Sequence, residues 1–275
     1  MPQNIYKESV GGRIAHNLKL KMNIENNTIL ITGGATGIGY ALAERFLAAN
    51  NNVIICGRRA EALQAAKEKL PALQIRVADL NNADERKSLV DWTTENFPNL
   101  NILVNNAGIE REFRVKNSSL AGDFLEENEI ETNLTAPIHL TFLLLPHLLK
   151  QSEAAVVNVS SGLGFVPIAV MPVYCATKAA LQSFSKSLRY QLKETSVKIF
   201  DVAPPLVETE LHEKVGAKSS QPKGIPPGRV AEETLRAIRK DNYEIAIGLA
   251  RVLRIASKIA PNQMFKIINR KASEE

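Results

Sequence analysis

The sequence predicts an α/β protein with one doubly wound, mostly parallel sheet of seven strands and helices on both of its faces. Short runs rich in valine and isoleucine alternate with helix-forming segments about every 20 to 25 residues, which is typical of repeated βα units. A glycine-rich turn joins the first of these runs to a helix. The length of 275 residues suits a single large domain of this class.

Each predicted strand is apolar on both faces, as expected where helices cover a sheet on each side. The strands are predicted at residues 28–32, 52–56, 74–78, 102–105, 155–159, 197–202 and 244–247. Helices are predicted at residues 37–49, 60–70, 83–96 and 174–192, and an apolar stretch at 140–149 is assigned to a long helical region that begins near residue 123.

The glycine-rich turn occupies residues 32–39. Gly33, Gly37 and Gly39 remove Cβ atoms where the chain turns sharply and where a pyrophosphate approaches backbone N–H groups at a helix N-terminus. The spacing is G-x-x-x-G-x-G, so the more common G-x-G-x-x-G dinucleotide pattern is absent. The turn therefore predicts an anion site, with a purely structural turn as the alternative.

Tyr174 and Lys178 lie four residues apart in a predicted helix, and Ser161 lies thirteen residues before the tyrosine. Residues at this spacing share a helix face, so the Lys178 ammonium is expected near the Tyr174 oxygen, where it lowers the pKa of the phenol. Moving that pKa from about 10 to neutrality takes roughly 4 kcal/mol, and a close cation lowers it by roughly 1 to 3 units. The pair predicts a tyrosine that exchanges protons, with two solvated side chains on an exposed helix as the alternative.

Four motifs occur in a fixed order: the turn at 32–39, the run Asn-Asn-Ala-Gly at 105–108, Asn133, and the set of Ser161, Tyr174 and Lys178. In this arrangement the chain resembles the short-chain dehydrogenase/reductase family from about residue 26 to residue 209. The resemblance implies a single Rossmann-like domain, an NAD(P) cofactor and hydride transfer to or from a carbonyl or alcohol. More narrowly, residues 52–58, 96–108 and 243–245 resemble DltE-like bacterial oxidoreductases.

The resemblance assigns catalytic roles to four residues. Tyr174 is the general acid or base, and Lys178 lowers its pKa and binds the nicotinamide ribose. Ser161 donates a hydrogen bond to the reacting carbonyl oxygen, and Asn133 binds a water that links Lys178 to solvent. The thirteen-residue separation from the tyrosine selects Ser161 over its neighbour Ser160.

The end of the second predicted strand carries Arg58 and Arg59 and no carboxylate. In Rossmann folds an acidic residue here binds the ribose 2′-hydroxyl of NAD, whereas an arginine accepts the 2′-phosphate of NADP. The planar guanidinium of Arg58 suits that phosphate, so NADP(H) is predicted over NAD(H), with Arg59 assisting or facing water. The resemblance assigns further cofactor contacts to Gly33, Ala35, Thr36, Gly37, Ile38, Gly39, Asp79, Leu80, Asn106, Ala107, Gly108, Tyr174, Lys178, Pro204, Val207 and Thr209.

The pair Pro204-Pro205 departs from the family pattern, which has Pro-Gly at this point. Pro205 lacks an N–H group and restricts the residue before it, so the nicotinamide end of the site is expected to differ. By resemblance, Asp79 contacts the adenine, and Val207 and Thr209 contact the carboxamide. Gly108 is either a site of close cofactor approach or a simple turn residue.

Apolar residues between Ser161 and Tyr174 predict the wall of a substrate pocket, or else core packing. An aliphatic or aromatic ketone, or an acyl-chain carbonyl, fits such a wall better than a polyanion does. Residues 216–228, rich in proline and glycine, are interpreted as a movable lid, with a surface connection as the alternative. The apolar residues are Leu163, Phe165, Val166, Ile168 and Met171.

The net charge of +5 is concentrated at the two ends of the chain. Residues 1–21 carry +3 and residues 236–275 carry +5, which leaves −3 for the rest, so no nucleic-acid-binding face is predicted. Two cysteines and four histidines without ligand spacing predict neither a disulfide framework nor a metal site. No long apolar run or signal peptide is found, so a cytoplasmic protein is predicted.

Three segments are predicted: an N-terminal extension at 1–21, a dinucleotide-binding and catalytic domain at 22–247, and a basic C-terminal helix and tail at 248–275. The C-terminal helix combines apolar residues with Arg251, Arg254 and Lys258. Packing of this helix on the body or on another subunit is favoured over binding to an anionic membrane surface. In the family, the Tyr174 helix and the helical region before it pair between subunits, which implies a homodimer or homotetramer.

A rival function is an NADP-sensing regulatory or interaction protein with vestigial catalysis. Such a protein has no need of the complete set of Asn133, Ser161, Tyr174 and Lys178, so the set argues against it. Oxidation of NADPH with a panel of carbonyl compounds distinguishes the two functions.

Overall fold

A seven-stranded parallel sheet forms the centre of the structure, a computed structural model that describes residues 21–112, 128–209 and 224–270. The strands are β1 (Thr28–Thr32), β2 (Asn52–Gly57), β3 (Gln74–Val77), β4 (Leu100–Asn105), β5 (Ala154–Val159), β6 (Val197–Ala203) and β7 (Glu244–Ala246). Their spatial order is β3-β2-β1-β4-β5-β6-β7, and every pair is parallel. The predicted sheet is confirmed, and the strands begin and end within two residues of their predicted bounds.

Eight α-helices occur in the described residues and cover both faces of the sheet. They are α1 (Gly37–Ala48), α2 (Ala60–Lys69), α3 (Ala83–Asn96), α4 (Ala136–Leu148), α5 (Pro172–Gln191), α6 (Pro227–Arg239), α7 (Leu249–Ile259) and α8 (Pro261–Asn269). Buried apolar residues of α1, α2 and α6 belong to one cluster, and those of α3 and α4 belong to another, which Leu188 of α5 joins. The doubly wound Rossmann-like class predicted from the sequence is therefore confirmed.

Alternation along β1 shows why these segments form buried strands. Ile29 and Ile31 join one apolar cluster, whereas Leu30 between them joins the other. Successive side chains of a strand point to opposite faces, so only a strand that is apolar throughout satisfies both clusters. The prediction of two apolar faces is wrong for β3, where Val77 is 52% exposed, because β3 lies at the edge of the sheet.

Local signals define several helix starts. Asn82 precedes α3, and its side chain accepts hydrogen bonds from the backbone N–H groups of Asp84 and Glu85, which otherwise lack helical partners. Pro172 occupies the first turn of α5, where a missing N–H costs nothing. A π-helical turn, Glu131–Thr135, leads into α4. The predicted start of this region near residue 123 lies outside the described residues.

The strand order places a crevice at one edge of the sheet. β1 pairs with β2 on one side and with β4 on the other, so the chain winds in opposite directions from this point. In open α/β sheets, ligands bind at the carboxyl ends of the strands beside such a switch point. The glycine turn after β1 and the segments after β2, β4 and β5 all leave the sheet at this edge.

The predicted segment boundaries meet the structure only in part. Of the proposed N-terminal extension only Lys21 is described, and Met22 is already buried, with its N–H donating to Asp241 Oδ1 at 3.2 Å. The predicted basic C-terminal helix is two helices, α7 and α8, which follow β7 after a short turn.

Candidate active site

The glycine turn between β1 and α1 has no space for side chains. Gly33 and Gly37 adopt φ values of +62° and +56°, a region that favours glycine. A Cβ atom on Gly33 would lie 2.9 Å from Ala107 Cα, and one on Gly39 would lie 2.3 Å from the Gly33 carbonyl oxygen. Each glycine of the motif is therefore needed for the turn itself, as well as for any ligand that approaches it.

Thr32 ties this turn to the end of β4. Its hydroxyl oxygen accepts hydrogen bonds from the backbone N–H groups of Asn106 and Ala107, both at 3.0 Å. The Asn106 side chain in turn donates to the carbonyl oxygens of Thr32 and Gly33. Sequence analysis did not assign a role to Thr32, although a hydroxyl at the last position of a strand, directly before a glycine turn, is a readable signal.

One cleft at this edge brings the two groups of predicted residues together. It is bounded by the glycine turn, by the ends of β2, β3 and β4, and by the first turns of α5. Among the predicted residues, those lining it are Gly33, Ala35, Thr36, Gly37, Ile38, Arg58, Asp79, Leu80, Asn106, Ala107, Gly108, Tyr174, Lys178, Pro204 and Thr209. Four other predicted residues, Gly39, Asn133, Ser161 and Val207, do not line it.

The end of β2 supplies the cationic side of the cleft. Arg58 and Arg59 line it and are exposed, and no carboxylate occurs between Cys56 and Arg59. The Cys56 carbonyl oxygen accepts a hydrogen bond from Gly33 N–H at 2.8 Å, which fixes this end of β2 beside the glycine turn. An anionic group held at the turn therefore lies close to two guanidinium groups.

Helix α5 carries Tyr174 and Lys178 on the face that meets the cleft. Lys178 is 4% exposed, and its Nζ donates to the Val159 carbonyl oxygen at 2.9 Å and lies 5.6 Å from the centre of the Tyr174 ring. A Cβ atom on Gly108 would lie 3.5 Å from Lys178 Nζ and 3.3 Å from Asn133 Oδ1. Gly108 therefore lies close to the Lys178 and Asn133 side chains.

Asn133 lies in the π-helical turn before α4 and is fully buried. Its Oδ1 accepts a hydrogen bond from Ile109 N–H, and its Nδ2 donates to the Ile109 carbonyl oxygen, both at 2.8 Å. Nδ2 also lies 3.3 Å from Thr177 Oγ1 on α5. Asn133 therefore fixes the segment after β4 against the Tyr174 helix, and it does not cap its own helix.

The two serines after β5 have different partners. Ser161 forms a side-chain hydrogen bond with Tyr174, and its Oγ also accepts from Leu163 N–H at 3.1 Å. Ser160 Oγ instead donates to the Val202 carbonyl oxygen at 3.2 Å. Gln182 donates to Ser160 Oγ and to the Ser161 carbonyl oxygen, which holds the pair in place. Of the two hydroxyls, that of Ser161 meets the phenol.

The protein surroundings raise the pKa of Tyr174, which is opposite to the direction predicted from the position of Lys178. Burial raises the pKa of Tyr174, the charge of Glu110 adds to this rise, and the hydrogen bond from Ser161 opposes it. Burial also lowers the pKa of Lys178 to about 8, against the charges of Asp201 and Glu110. Spacing along the helix brought the two groups together as expected, but burial is the largest influence on the pKa of each.

Asp201 is a polar residue of this region that sequence analysis missed. It lies on β6 in register with Asn158 on β5, it is 6% exposed, and its Oδ1 has no hydrogen-bond partner among the described residues. Burial raises the pKa of its carboxyl to about 6, while Ser160, Arg189 and Lys178 oppose the rise. An aspartate between the apolar residues Phe200 and Val202 of a predicted strand was the available signal.

Of the five residues of the predicted pocket wall, Val166 and Met171 are buried, and Leu163, Phe165 and Ile168 are half-buried. Met171 packs against Tyr174 and Cys175. None of the five predicted wall residues lines the cleft. Cys175 is buried in the same cluster as Met171 and Tyr174. Most of the predicted lid, residues 216–223, lies outside the described residues.

The segment after β6 shows how the Pro204-Pro205 pair is accommodated. The Pro204 carbonyl oxygen accepts a hydrogen bond from Gly162 N–H at 2.9 Å, which joins this segment to the turn after Ser161. Thr209 lies against Gly37, since a Cβ atom on that glycine would be 3.0 Å from Thr209 Cγ2. Val207 forms a parallel bridge with Ile225 and does not reach the cleft.

Comparison with known proteins identifies the family. The short chain dehydrogenase family profile matches residues 27–220, and the uncharacterized oxidoreductase DltE of Bacillus subtilis (strain 168) is 44% identical over 249 residues, which cover 90% of this chain and 98% of that protein. The chain belongs to the short-chain dehydrogenase/reductase family. It is therefore an oxidoreductase of that family, as the motif order predicted.

Solved structures of short-chain dehydrogenases share its fold. The closed form of serine dehydrogenase complexed with NADP+ is 30% identical, with a TM-score of 0.69, and covers 76% of this chain and 88% of that one. A short-chain dehydrogenase from Burkholderia phymatum in complex with NAD is 22% identical, with a TM-score of 0.75, and covers 88% of this chain and 97% of that one. The fold thus occurs with either dinucleotide.

The residues of this short-chain dehydrogenase fit such a dinucleotide. The glycine turn presents backbone without side chains at the start of α1, and two arginines lie beside it. Within the described ranges no three His, Cys, Asp or Glu side chains form a group able to hold a metal ion. Nor does any helix in those ranges have the length and apolarity to cross a membrane.

Proposed function

We propose that this chain is an NADP(H)-dependent oxidoreductase that transfers a hydride between the nicotinamide and a carbonyl or alcohol substrate, with Tyr174 as the general acid or base. The supporting observation is that one cleft is lined both by the glycine turn with Arg58 and by Tyr174 with Lys178. A phosphate-binding end and a proton-donating end therefore lie within a single site.

The bound cofactor supplies the hydride. Tyr174 holds the proton that the carbonyl oxygen needs in the reductive direction, and its raised pKa keeps the phenol protonated at neutral pH. Ser161 bonds to the same phenol, and in this proposal its hydroxyl also donates to the substrate oxygen. In the oxidative direction Tyr174 must accept a proton, and a cationic Lys178 stabilises the phenolate that precedes this transfer.

Three other groups hold the site together. Lys178 is fixed by its bond to the Val159 carbonyl oxygen, which leaves two of its three N–H donors for the ribose and its surroundings. Asn133 and Gly108 set the spacing between the end of β4 and α5. The substrate class we propose is a carbonyl or alcohol with apolar substituents rather than a polyanion, because Leu163, Ile168 and Met171 belong to the apolar cluster that contains Tyr174.

The NADP(H) preference rests on Arg58. Its guanidinium lines the cleft beside the glycine turn, and the end of β2 has no acidic residue to bind a 2′-hydroxyl or to repel a 2′-phosphate. The NADP+ complex of the serine dehydrogenase relative is consistent with this preference. Asp79, at the end of β3, is proposed to face the adenine.

The decisive experiment is a screen that pairs NADPH and NADH with aldehydes, ketones and alcohols, run beside direct titration of both dinucleotides. We expect NADPH binding and NADPH-linked turnover of at least one carbonyl compound. Tight NADPH binding with no turnover across the panel would instead support the sensing or interaction protein.

We also propose a homodimer or homotetramer that acts in the cytoplasm. Phe142 on α4 is 53% exposed and meets Phe184 on α5 edge to face, with 5.9 Å between ring centres. Leu149, just after α4, is 43% exposed. An uncharged aromatic patch shared by these two helices suits a second copy of the chain. Sedimentation velocity of the wild type and of Phe142→Asp tests this association.

A further inference from the structure

The last two helices, α7 and α8, form what we term the C-terminal hairpin. Ala250 and Leu253 of α7 face the body, and a Cβ atom on Gly162 would lie 2.8 Å from Ala250 Cβ. Asn269 of α8 accepts a hydrogen bond from Ala169 N–H and donates to the Pro167 carbonyl oxygen. The hairpin is thus fixed to the segment between Ser161 and Tyr174 at both ends.

The opposite face of the hairpin is apolar and exposed. Leu249, Val252, Ile255 and Ile259 are 62%, 53%, 54% and 77% exposed. Their spacing of three, three and four residues places them along one side of α7, away from Ala250 and Leu253. In α8, Phe265 and Ile267 are 43% and 65% exposed. Exposed apolar residues in such a continuous row mark an interaction surface.

The charged side chains of the C-terminal hairpin itself are all positive. Residues 248–270 contain five lysines and arginines and no acidic residue. Arg251 and Arg254 lie 3.9 Å and 3.7 Å from Glu233 and Glu244 on the body, so those two charges are partly compensated. Lys258 and Lys266 are exposed and have no ion pair among the described residues. An apolar stripe flanked by cations is typical of helices that lie in a membrane interface.

The charge pattern separates a membrane from a second copy of the chain. In a two-fold symmetric contact the same patch meets itself, so the cations of one hairpin would face those of the other. An anionic lipid surface offers negative headgroups to the cations and acyl chains to the apolar row. We propose that the C-terminal hairpin docks this protein onto an anionic membrane surface. This docking does not depend on the proposed catalytic function.

Co-sedimentation with lipid vesicles tests the docking. At low salt, the full-length protein is expected to pellet with vesicles that mix phosphatidylglycerol and phosphatidylcholine, and to stay in the supernatant with phosphatidylcholine alone. Ile255→Ser/Ile259→Ser removes apolar contact without changing charge, and Lys258→Glu/Lys266→Glu reverses two charges. Each pair is expected to weaken the binding about tenfold or more.

Lys69→Glu/Lys150→Glu is the matched control, because it makes the same change in net charge at two exposed lysines outside the hairpin. Unchanged binding by this control supports docking through the hairpin, whereas equal loss in both charge variants would show attraction to net charge alone and overturn the proposal. Wild-type protein left in the supernatant would also overturn it. So would serine variants that break an oligomer in sedimentation velocity while vesicle binding stays intact.

Discussion

The cleft has a cofactor half, at the glycine turn and Arg58, and a chemical half, around Tyr174. The geometry of the cofactor half depends on backbone and on glycines, whereas that of the chemical half depends on buried polar side chains. Around the turn after β1, a Cβ atom on Gly39 would lie 2.3 Å from the Gly33 carbonyl oxygen. Arg58, the proposed phosphate-binding residue, is exposed. Around Tyr174, Lys178, Asn133 and Ser161 are all buried and bonded to protein groups. Steric contacts fix the geometry of the cofactor half, and the burial of polar side chains determines the properties of the chemical half.

This difference predicts separable defects. A change in the cofactor half should alter nucleotide binding and stability, because the backbone contacts there hold the turn together. A change in the chemical half should alter proton transfer while the nucleotide still binds. Variants that affect both properties together would show that the cleft is one coupled unit.

The largest separable effect is expected for Tyr174→Phe. The ring and its packing against Met171 remain, but the proton is lost, so turnover should fall by about 10²- to 10⁴-fold. Stopped-flow or steady-state NADPH oxidation measures the loss, and fluorescence titration should show nearly unchanged NADPH affinity. Wild-type turnover in this variant would refute the assigned role.

Gly39→Ala tests the cofactor half by sterics alone. The added methyl would lie 2.3 Å from a backbone oxygen, so we expect a loss of stability of about 1 to 3 kcal/mol and weakened NADPH binding. Thermal unfolding and nucleotide titration measure the two effects. Gly228→Ala is the control, since a Cβ atom there meets nothing within 4 Å. Equal behaviour of the two variants would contradict the steric account.

Arg58→Ala tests which dinucleotide the cofactor half prefers. A hydrogen bond to a charged group contributes about 1.5 to 3 kcal/mol, so the Michaelis constant for NADPH should rise about tenfold or more. The constant for NADH should hardly change, because NADH has no 2′-phosphate. Arg59→Ala reports whether the second guanidinium assists. An unchanged NADPH constant in Arg58→Ala would remove the basis for the NADP(H) preference.

Asp201→Asn is expected to have the smallest of these effects, a shift in the pH dependence of activity. The pKa of Lys178 is about 8, and the Asp201 carboxylate, ionised above its own pKa of about 6, raises it. Without that charge, Lys178 loses its proton at lower pH. The alkaline limb of kcat/KM, which needs cationic Lys178, should therefore move toward acid by roughly one pH unit or less.

Glu244→Gln is the control for this shift. It makes the same carboxylate-to-amide change on the neighbouring strand β7, at the residue in register with Asp201, and the Glu244 side chain is half exposed. Its pH profile should match that of the wild type. A uniform drop in activity at all pH values in Asp201→Asn, with the limb in place, would indicate a structural role only.

The same contrast explains what the sequence could predict. Glycine spacing and helix periodicity follow from local sterics, so the turn at 32–39 and the meeting of Tyr174 with Lys178 were both predicted. The direction of the Tyr174 pKa shift was not, because burial comes from the whole fold and from Glu110, which no helix spacing reveals. Val166 and Met171 look alike as wall or as core until the packing is known.

Asp201 and the exposed face of the edge strand β3 were missed for a related reason. The polarity of Asp201 is visible in the sequence, but its register with Asn158 depends on which strands become neighbours. The exposure of Val77 likewise follows from the position of β3 at the sheet edge, since an identical side chain in a central strand would be buried.

The proline that replaces the usual glycine at position 205 has a neighbour far along the chain. Gly248, with φ of +53°, lies so that a Cβ atom there would be 3.6 Å from the Pro205 ring. A Cβ atom at that distance would make only an ordinary contact with the ring, so the positive φ, and not the proline, is what favours glycine at 248. Over evolutionary time glycine is therefore expected to persist at position 248 whether position 205 carries proline or glycine.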